Sequence, residues 1–73
     1  MNEFVFEITI TPERWAEFYR SPNTTVIARS YDGRRVQFAA RHLQRHVTRD
    51  GVRGVFRMVI DGDRNFVRLD RVS

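Results

Sequence analysis

The chain has no cysteine and no lysine, and only two of its 73 residues are proline. Without cysteine, neither a disulfide nor a thiolate metal site can stabilise the fold. No stretch approaches the roughly 20 apolar residues of a membrane-spanning helix. Residues 1–10 contain two acids and no basic side chain, unlike a secretion signal. The sequence therefore predicts a cytoplasmic domain, not a membrane protein, that is held together by packing or by self-association.

The length of the chain limits both the number of domains and the size of the core. Residues 1–73 are enough for a single domain. A chain this short buries only about 60% of the surface that it exposes when unfolded. Little room remains for a cleft that excludes water, so the length already argues against an enzyme.

The first strand is predicted from a strict alternation over residues 3–10. Apolar side chains occupy every second position, which is typical of a strand with one face buried. The buried face would hold Phe4, Phe6, Ile8 and Ile10.

A short helix is predicted directly after this strand. Thr11 suits the N-cap and Pro12 suits the first helical position. The helix is expected to end at Ser21-Pro22, because the residue before a proline avoids the helical region. Its apolar face would hold Trp15, Phe18 and Tyr19.

Four further strands are predicted after the helix. Their ranges are 24–31, 34–39, 52–60 and 65–72. Between the third and fourth strands, the spacing of Leu43 and Val47 predicts a short helical turn that points both side chains inward. The predicted fold is α+β, in the order β-α-β-β-β-β. Five strands would form a curled antiparallel sheet or a small open barrel with the helix packed on it.

The register of the second and third strands is predicted from Asp32-Gly33, a pair typical of two-residue hairpin turns. Closure on this pair places Ile27 opposite Phe38 and Arg29 opposite Val36. Ile27 would then share one face with Val36 and Phe38, and Val26 would lie on the other face.

The charge is distributed unevenly, and all 13 basic residues are arginine. Residues 1–20 hold four acids and two arginines, a net charge of −2, whereas residues 21–60 hold eight arginines and two acids, a net charge of +6. Arginine suits phosphate groups because its planar guanidinium donates several hydrogen bonds. The candidate polyanion-binding residues are Arg29, Arg34, Arg35, Arg41, Arg45, Arg49, Arg53 and Arg57.

Three segments of the chain resemble domain-of-unknown-function family 2835, a group of short bacterial proteins. These segments are FYR, YDGRRVQF and HLQRHVTRDGVRGVFR. The resemblance covers nearly the whole chain. It implies a compact stand-alone domain and implies no activity. One departure is Ala39, where the resemblance leads us to expect a proline.

Two groups of residues resemble parts of a metal site or a catalytic site, but both are incomplete. His42 and His46 are spaced like two zinc ligands on a helix, but a third histidine and any cysteine are missing, and Arg41 and Arg45 would repel a cation. They are interpreted as surface histidines. The serines (Ser21, Ser30 and Ser73) have no neighbouring base, so no catalytic, cofactor or metal site is predicted.

The leading hypothesis is a non-enzymatic binding module with a basic, arginine-rich face for nucleic acid or another polyanion. Tyr31 and Phe66 are the aromatic residues expected near that face. The alternative is a protein-interaction or self-associating domain, with a homodimer as one form, motivated by Val55 and Val59 on an otherwise basic strand face. A third hypothesis is a sensor for a small anion or a nucleotide.

Overall fold

A computed structural model describes residues 2–21 and 23–73 of the chain. The strands are β1 (Asn2–Ile10), β2 (Thr25–Arg29), β3 (Arg35–Ala39), β4 (Val52–Ile60) and β5 (Phe66–Arg71). Helix α1 (Pro12–Arg20) follows β1, and a 3₁₀ helix (Ala40–His46) follows β3. The predicted α+β class and the order of strands and helix are confirmed.

The five strands form two antiparallel sheets, where one five-stranded sheet was expected. One sheet has the order β1-β4-β5, and the other contains β2 and β3. The Tyr31 N–H donates to the Val5 carbonyl oxygen across 2.9 Å, where β1 lies closest to the end of β2. The remaining length of β1 is not paired with β2. The sheets instead meet through side chains, with the Phe6 and Phe38 rings stacked at 5.6 Å.

Strand β1 buries the face that its alternation predicts. Phe6, Ile8 and Ile10 are buried, and Phe4 packs against the core from the edge. On the neighbouring central strand, Phe56 lies opposite Phe6 and is fully buried. These contacts place the core between the two sheets, and β1 and β4 contribute residues to it that their alternation selects, among them Phe6, Phe56 and Met58.

Helix α1 begins as predicted, because the Thr11 hydroxyl accepts a hydrogen bond from the Arg14 N–H and Pro12 opens the helix. Trp15 and Phe18 pack against the core. Tyr19 does not: 68% of it is exposed, so its predicted place on the buried face is wrong. The helix ends at Arg20; the predicted effect of Pro22 falls on a residue outside the described ones.

The register of β2 and β3 differs by one residue from the prediction. Ser30 and Arg34 form the last hydrogen-bonded pair, so the turn has three residues, ending in Gly33 with φ +91°. Because side chains alternate along a strand, one extra turn residue reverses the faces of β2. Val26 faces the core opposite Phe38. Ile27 is 55% exposed, so its predicted place on the same face as Val36 and Phe38 is wrong.

The 3₁₀ helix closes the core from the side of β5. Leu43 is fully buried and Val47 packs against the core, which confirms their predicted inward direction. In residues 2–21 and 23–73, no helix is both long and apolar enough to cross a membrane.

Candidate polyanion-binding surface

The eight arginines selected from the sequence do not share one face. They fall into five places. Arg29 and Arg35 lie on the outer face of the β2–β3 sheet, Arg34 directly after its turn, Arg41 and Arg45 on the 3₁₀ helix, Arg49 in the turn before β4, and Arg53 and Arg57 on β4. The net charge of the segment therefore overstates the charge density of any single surface.

The side chain of Arg34 makes contacts that stabilise the fold. Its guanidinium lies 2.7 Å from the Asp32 carboxylate, donates to the Glu3 carbonyl oxygen across 3.0 Å, and sits 4.1 Å above the Phe4 ring. The hydrogen bonds from Arg34 and from the Ser30 hydroxyl lower the pKa of Asp32 to about 2. This arginine holds the hairpin turn against β1 and has few donors left for a ligand.

Arg29 and Arg35 lie directly opposite each other on β2 and β3, and both are exposed. Opposed like charges destabilise a sheet slightly. Ile27 and Gln37 form the adjacent pair on this face. Neither arginine makes an ion pair in the described residues. Arg35 also lines a groove of about 460 Å³ that contains Arg34 and Arg64, whereas Arg29 does not line it, so the two arginines do not act on one groove.

The two arginines of β4 are less accessible to an anion. Arg57 is half-buried between Val5 of β1 and Asp70 of β5, and its Nε is buried without a hydrogen-bond partner. Arg53 lines a depression with Glu7, Asp50 and Arg71, so two acids there offset the charges of two arginines. Neither residue contributes to a continuous basic surface.

Arg41 and Arg45 line a groove of about 410 Å³ between the 3₁₀ helix and β5. We call it the arginine groove; its lining residues are Arg41, His42, Gln44, Arg45, Phe66, Val67, Arg68 and Leu69. Ion pairs in the described part of the chain use Arg14, Arg34 and Arg68. Arg41 and Arg45 are exposed, and neither pairs with a carboxylate in the described residues. Their charge therefore remains available to a ligand.

His42 lines the arginine groove, and both His42 and His46 hold the 3₁₀ helix against β5. The His42 ring stacks on Phe66, with ring centroids 3.7 Å apart, and His46 Nε2 lies 3.0 Å from the Leu69 carbonyl oxygen. Burial, and secondarily the charge of Arg41, lower the pKa of His42, which favours a neutral ring at pH 7. The two histidines predicted at the surface are half-buried, because both rings attach the 3₁₀ helix to β5.

Sequence reasoning missed Arg68 and the His42–Phe66 stack. Arg68 belongs to a segment whose charges balance, and it pairs with Asp70 at 3.0 Å. Its place beside Arg41 depends on how the 3₁₀ helix packs against β5. No local pattern in the sequence reports that contact.

A second groove, of about 310 Å³, lies on the other side of the 3₁₀ helix, against α1. We call it the aromatic groove; it is lined by Trp15, Phe18, Tyr19, Ser21, Asn23, Ala40, Arg41 and Gln44. Arg41 and Gln44 line both grooves. The two grooves therefore adjoin, and one wall of residues separates them.

Of the aromatics expected near the basic face, Tyr31 is 67% exposed but lies at the β2–β3 turn, while Phe66 is covered on one side by His42.

Within the described ranges, no three side chains of histidine, aspartate or glutamate come together as metal ligands would. No curated protein and no solved structure is significantly similar to the chain. A family model described as protein of unknown function DUF2835 matches residues 2–72. That range includes both sheets, α1 and both grooves. The chain belongs to this family of proteins of unknown function.

Proposed function

We propose that the chain is a non-enzymatic, cytoplasmic binding module that holds a polyanion, nucleic acid in particular, in the arginine groove. The observation that carries this proposal is the pair Arg41 and Arg45, which line one groove and pair with no carboxylate in the described residues. Arg68 adds a third guanidinium to the same groove.

The chemistry of these residues favours phosphodiesters over isolated carboxylates. Several guanidinium groups along a groove can contact successive phosphates and release the counterions bound to them. Because Arg68 pairs with Asp70, the two free contacts from Arg41 and Arg45 give a salt dependence of about −1.4 in log K against log [salt] for a single strand. Affinity is therefore expected to be modest and to fall steeply as salt is added.

The non-enzymatic part of the proposal is supported by the contacts of Ser30, the polar residue that is buried among the described ones. Its hydroxyl donates to the Asp32 carboxylate and lies 3.2 Å from the backbone N–H of Arg34. This carboxylate also pairs with Arg34 and has its pKa lowered to about 2, so it is too weak a base to activate the hydroxyl, and the contacts serve to stabilise the turn.

The proposal is tested by fluorescence anisotropy with labelled single-stranded and double-stranded DNA and RNA at a series of NaCl concentrations. The test variant is Arg41→Ala/Arg45→Ala. The matched control is Arg29→Ala/Arg35→Ala, which removes the same charge from exposed arginines outside the groove. We expect the test variant to lose at least about tenfold in affinity, the control to lose much less, and the salt slope to fall only in the test variant.

Two results would overturn this proposal. Absence of binding at low salt would remove the function itself. Equal losses in the two double variants would show that net charge, not the arginine groove, attracts the polyanion.

A second candidate function is a protein-interaction domain, favoured by the gap between β1 and β2. Strand β1 is an edge of its sheet, and a groove of about 430 Å³ separates its second half from β2. Exposed strand edges can accept an extended segment of another chain.

Val59 supports self-association less than the sequence implied, because only 3% of it is exposed in the single chain. Sedimentation over a range of concentrations tests the homodimer: a monomer of 8.7 kDa throughout would argue against it.

A further inference from the structure

We infer that the polyanion is single-stranded nucleic acid, with one base held in the aromatic groove while the adjoining phosphates lie in the arginine groove. This inference rests on the proposed function and adds a site for the base. It is carried by the position of Arg41 and Gln44, which line both grooves.

The aromatic groove presents ring surfaces to solvent. Trp15 and Phe18 are half-buried and meet edge to face, with centroids 6.3 Å apart and planes at 87°, and the Arg14 guanidinium lies 5.8 Å from the Phe18 ring. Tyr19 extends this surface and is 68% exposed. Three aromatic residues at the mouth of one groove provide the stacking surface that nucleobases use on proteins that bind single strands.

The opposite side of the aromatic groove is polar. Gln44 carries an amide that both donates and accepts hydrogen bonds, and Asn23 carries a second amide. Arg41 adds a cation at the border with the arginine groove. A pocket with aromatic rings on one side and amides on the other matches a base, which has a flat face and a hydrogen-bonding edge.

The volume and position of the aromatic groove favour a single strand over a duplex. Its volume of about 310 Å³ lies at the lower end of the ~300–1,000 Å³ typical of small-ligand sites. It lies between α1 and the 3₁₀ helix, so a base must leave its stack to enter it. That step costs little in a single strand and several kcal/mol in a duplex.

The test uses Trp15, the only tryptophan of the chain, as a fluorescence reporter inside the aromatic groove. The full chain is titrated with oligothymidylate, with a duplex of the same length, and with an abasic deoxyribose-phosphate oligomer of the same length. Oligothymidylate should quench Trp15, whereas the abasic oligomer should bind more weakly and leave the fluorescence unchanged. The duplex should also leave it unchanged.

A pair of tyrosine variants isolates the contribution of stacking. Tyr19→Ala should weaken binding of oligothymidylate about fivefold or more, the lower end of the effect of one stacked base. Tyr31→Ala is the matched control, because Tyr31 is equally exposed, at 67% against 68%, and lies outside both grooves. It should change the affinity by less than about twofold. Both side chains are exposed, so both variants should fold, which circular dichroism checks.

The outcomes separate this inference from the function on which it rests. Equal affinities for oligothymidylate and the abasic oligomer, with equal effects of the two tyrosine variants, would overturn the base site. The polyanion function would survive that result if Arg41→Ala/Arg45→Ala still weakened binding. Tight binding of an uncharged peptide with quenching of Trp15, and none of any oligonucleotide, would overturn both.

Discussion

The His42 imidazole lies flat on the Phe66 ring, with centroids 3.7 Å apart and planes 10° apart. Burial is the main reason that the pKa of His42 is lowered, and the charge of Arg41 adds to the effect. In the unfolded chain the pKa returns to about 6.5. Below that pH the unfolded chain binds the proton more readily than the folded one, so stability falls as pH drops from 6.5 towards the folded pKa.

The variant His42→Phe should keep the aromatic contact and lose this pH dependence. Urea unfolding on either side of pH 6.5 measures it, and the wild type should lose stability on acidification more than the variant does. Above pH 6.5 the two proteins should differ by less than about 1.5 kcal/mol, as expected for a swap of similar volume. An unchanged pH profile in the variant would show that another group titrates.

Local patterns were sufficient to predict the elements of this fold. The alternation in β1 predicts the burial of Phe6 and Ile8, and the pair Thr11 and Pro12 predicts where α1 begins. In each case the signal lies within a few neighbouring residues. The division into two sheets had no such signal, because alternation shows which face of a strand is buried but not which strand lies beside it.

The errors in the sequence interpretation have specific physical causes. Asp32 and Gly33 indicate a turn, but a glycine takes positive φ in two-residue and three-residue turns alike. The pair therefore does not determine the length of the turn. The predicted length was one residue too short, which placed Ile27 on the wrong face. The groove around Arg41 and Arg45 depends on contacts with β5, more than twenty residues away. The sequence predicted the positive charge of this groove but not its shape.

Amide hydrogen exchange should reveal the two-sheet arrangement in an alternating pattern along β1. The Val5 carbonyl accepts from Tyr31, so the backbone groups of Glu7 and Thr9 face the same side, towards the gap beside β2. Those of Phe6 and Ile8 face β4. We expect fast exchange at Glu7 and Thr9, and exchange limited by global unfolding at Phe6 and Ile8. Uniform protection along β1 would indicate a continuous five-stranded sheet.

Gly51 is the glycine on which the fold depends most. Its φ is +86°, and a Cβ at this position would collide with the carbonyl oxygen of Ile10 and the start of α1. Gly51→Ala should therefore destabilise the domain by more than about 3 kcal/mol or prevent folding. Gly33→Ala is the control: it has similar φ with open space around it, so it should lose only about 1–2 kcal/mol. Urea unfolding compares them, and similar losses would show that the packing at Ile10 adapts.

Ala39 is a position where a proline should stabilise the domain. Its φ of −70° is close to the value that proline imposes. The hydrogen bond from Ala40 N–H to the Thr24 carbonyl oxygen, 2.9 Å long, shows that even-numbered residues here face β2. By alternation the Ala39 N–H points away from β2 and has no ladder bond to lose. Ala39→Pro should therefore stabilise the domain by about 0.4–1 kcal/mol, by restricting the unfolded chain.

The neighbouring variant Ala40→Pro is the control for this prediction. It removes the hydrogen bond to Thr24 and places a ring at a site that is only 4% exposed, so it should destabilise the domain by about 3 kcal/mol. Thermal and urea unfolding of both variants give the comparison. A loss of stability in Ala39→Pro would mean that the Ala39 N–H has a partner in solution, and hence that the outer edge of β3 is paired.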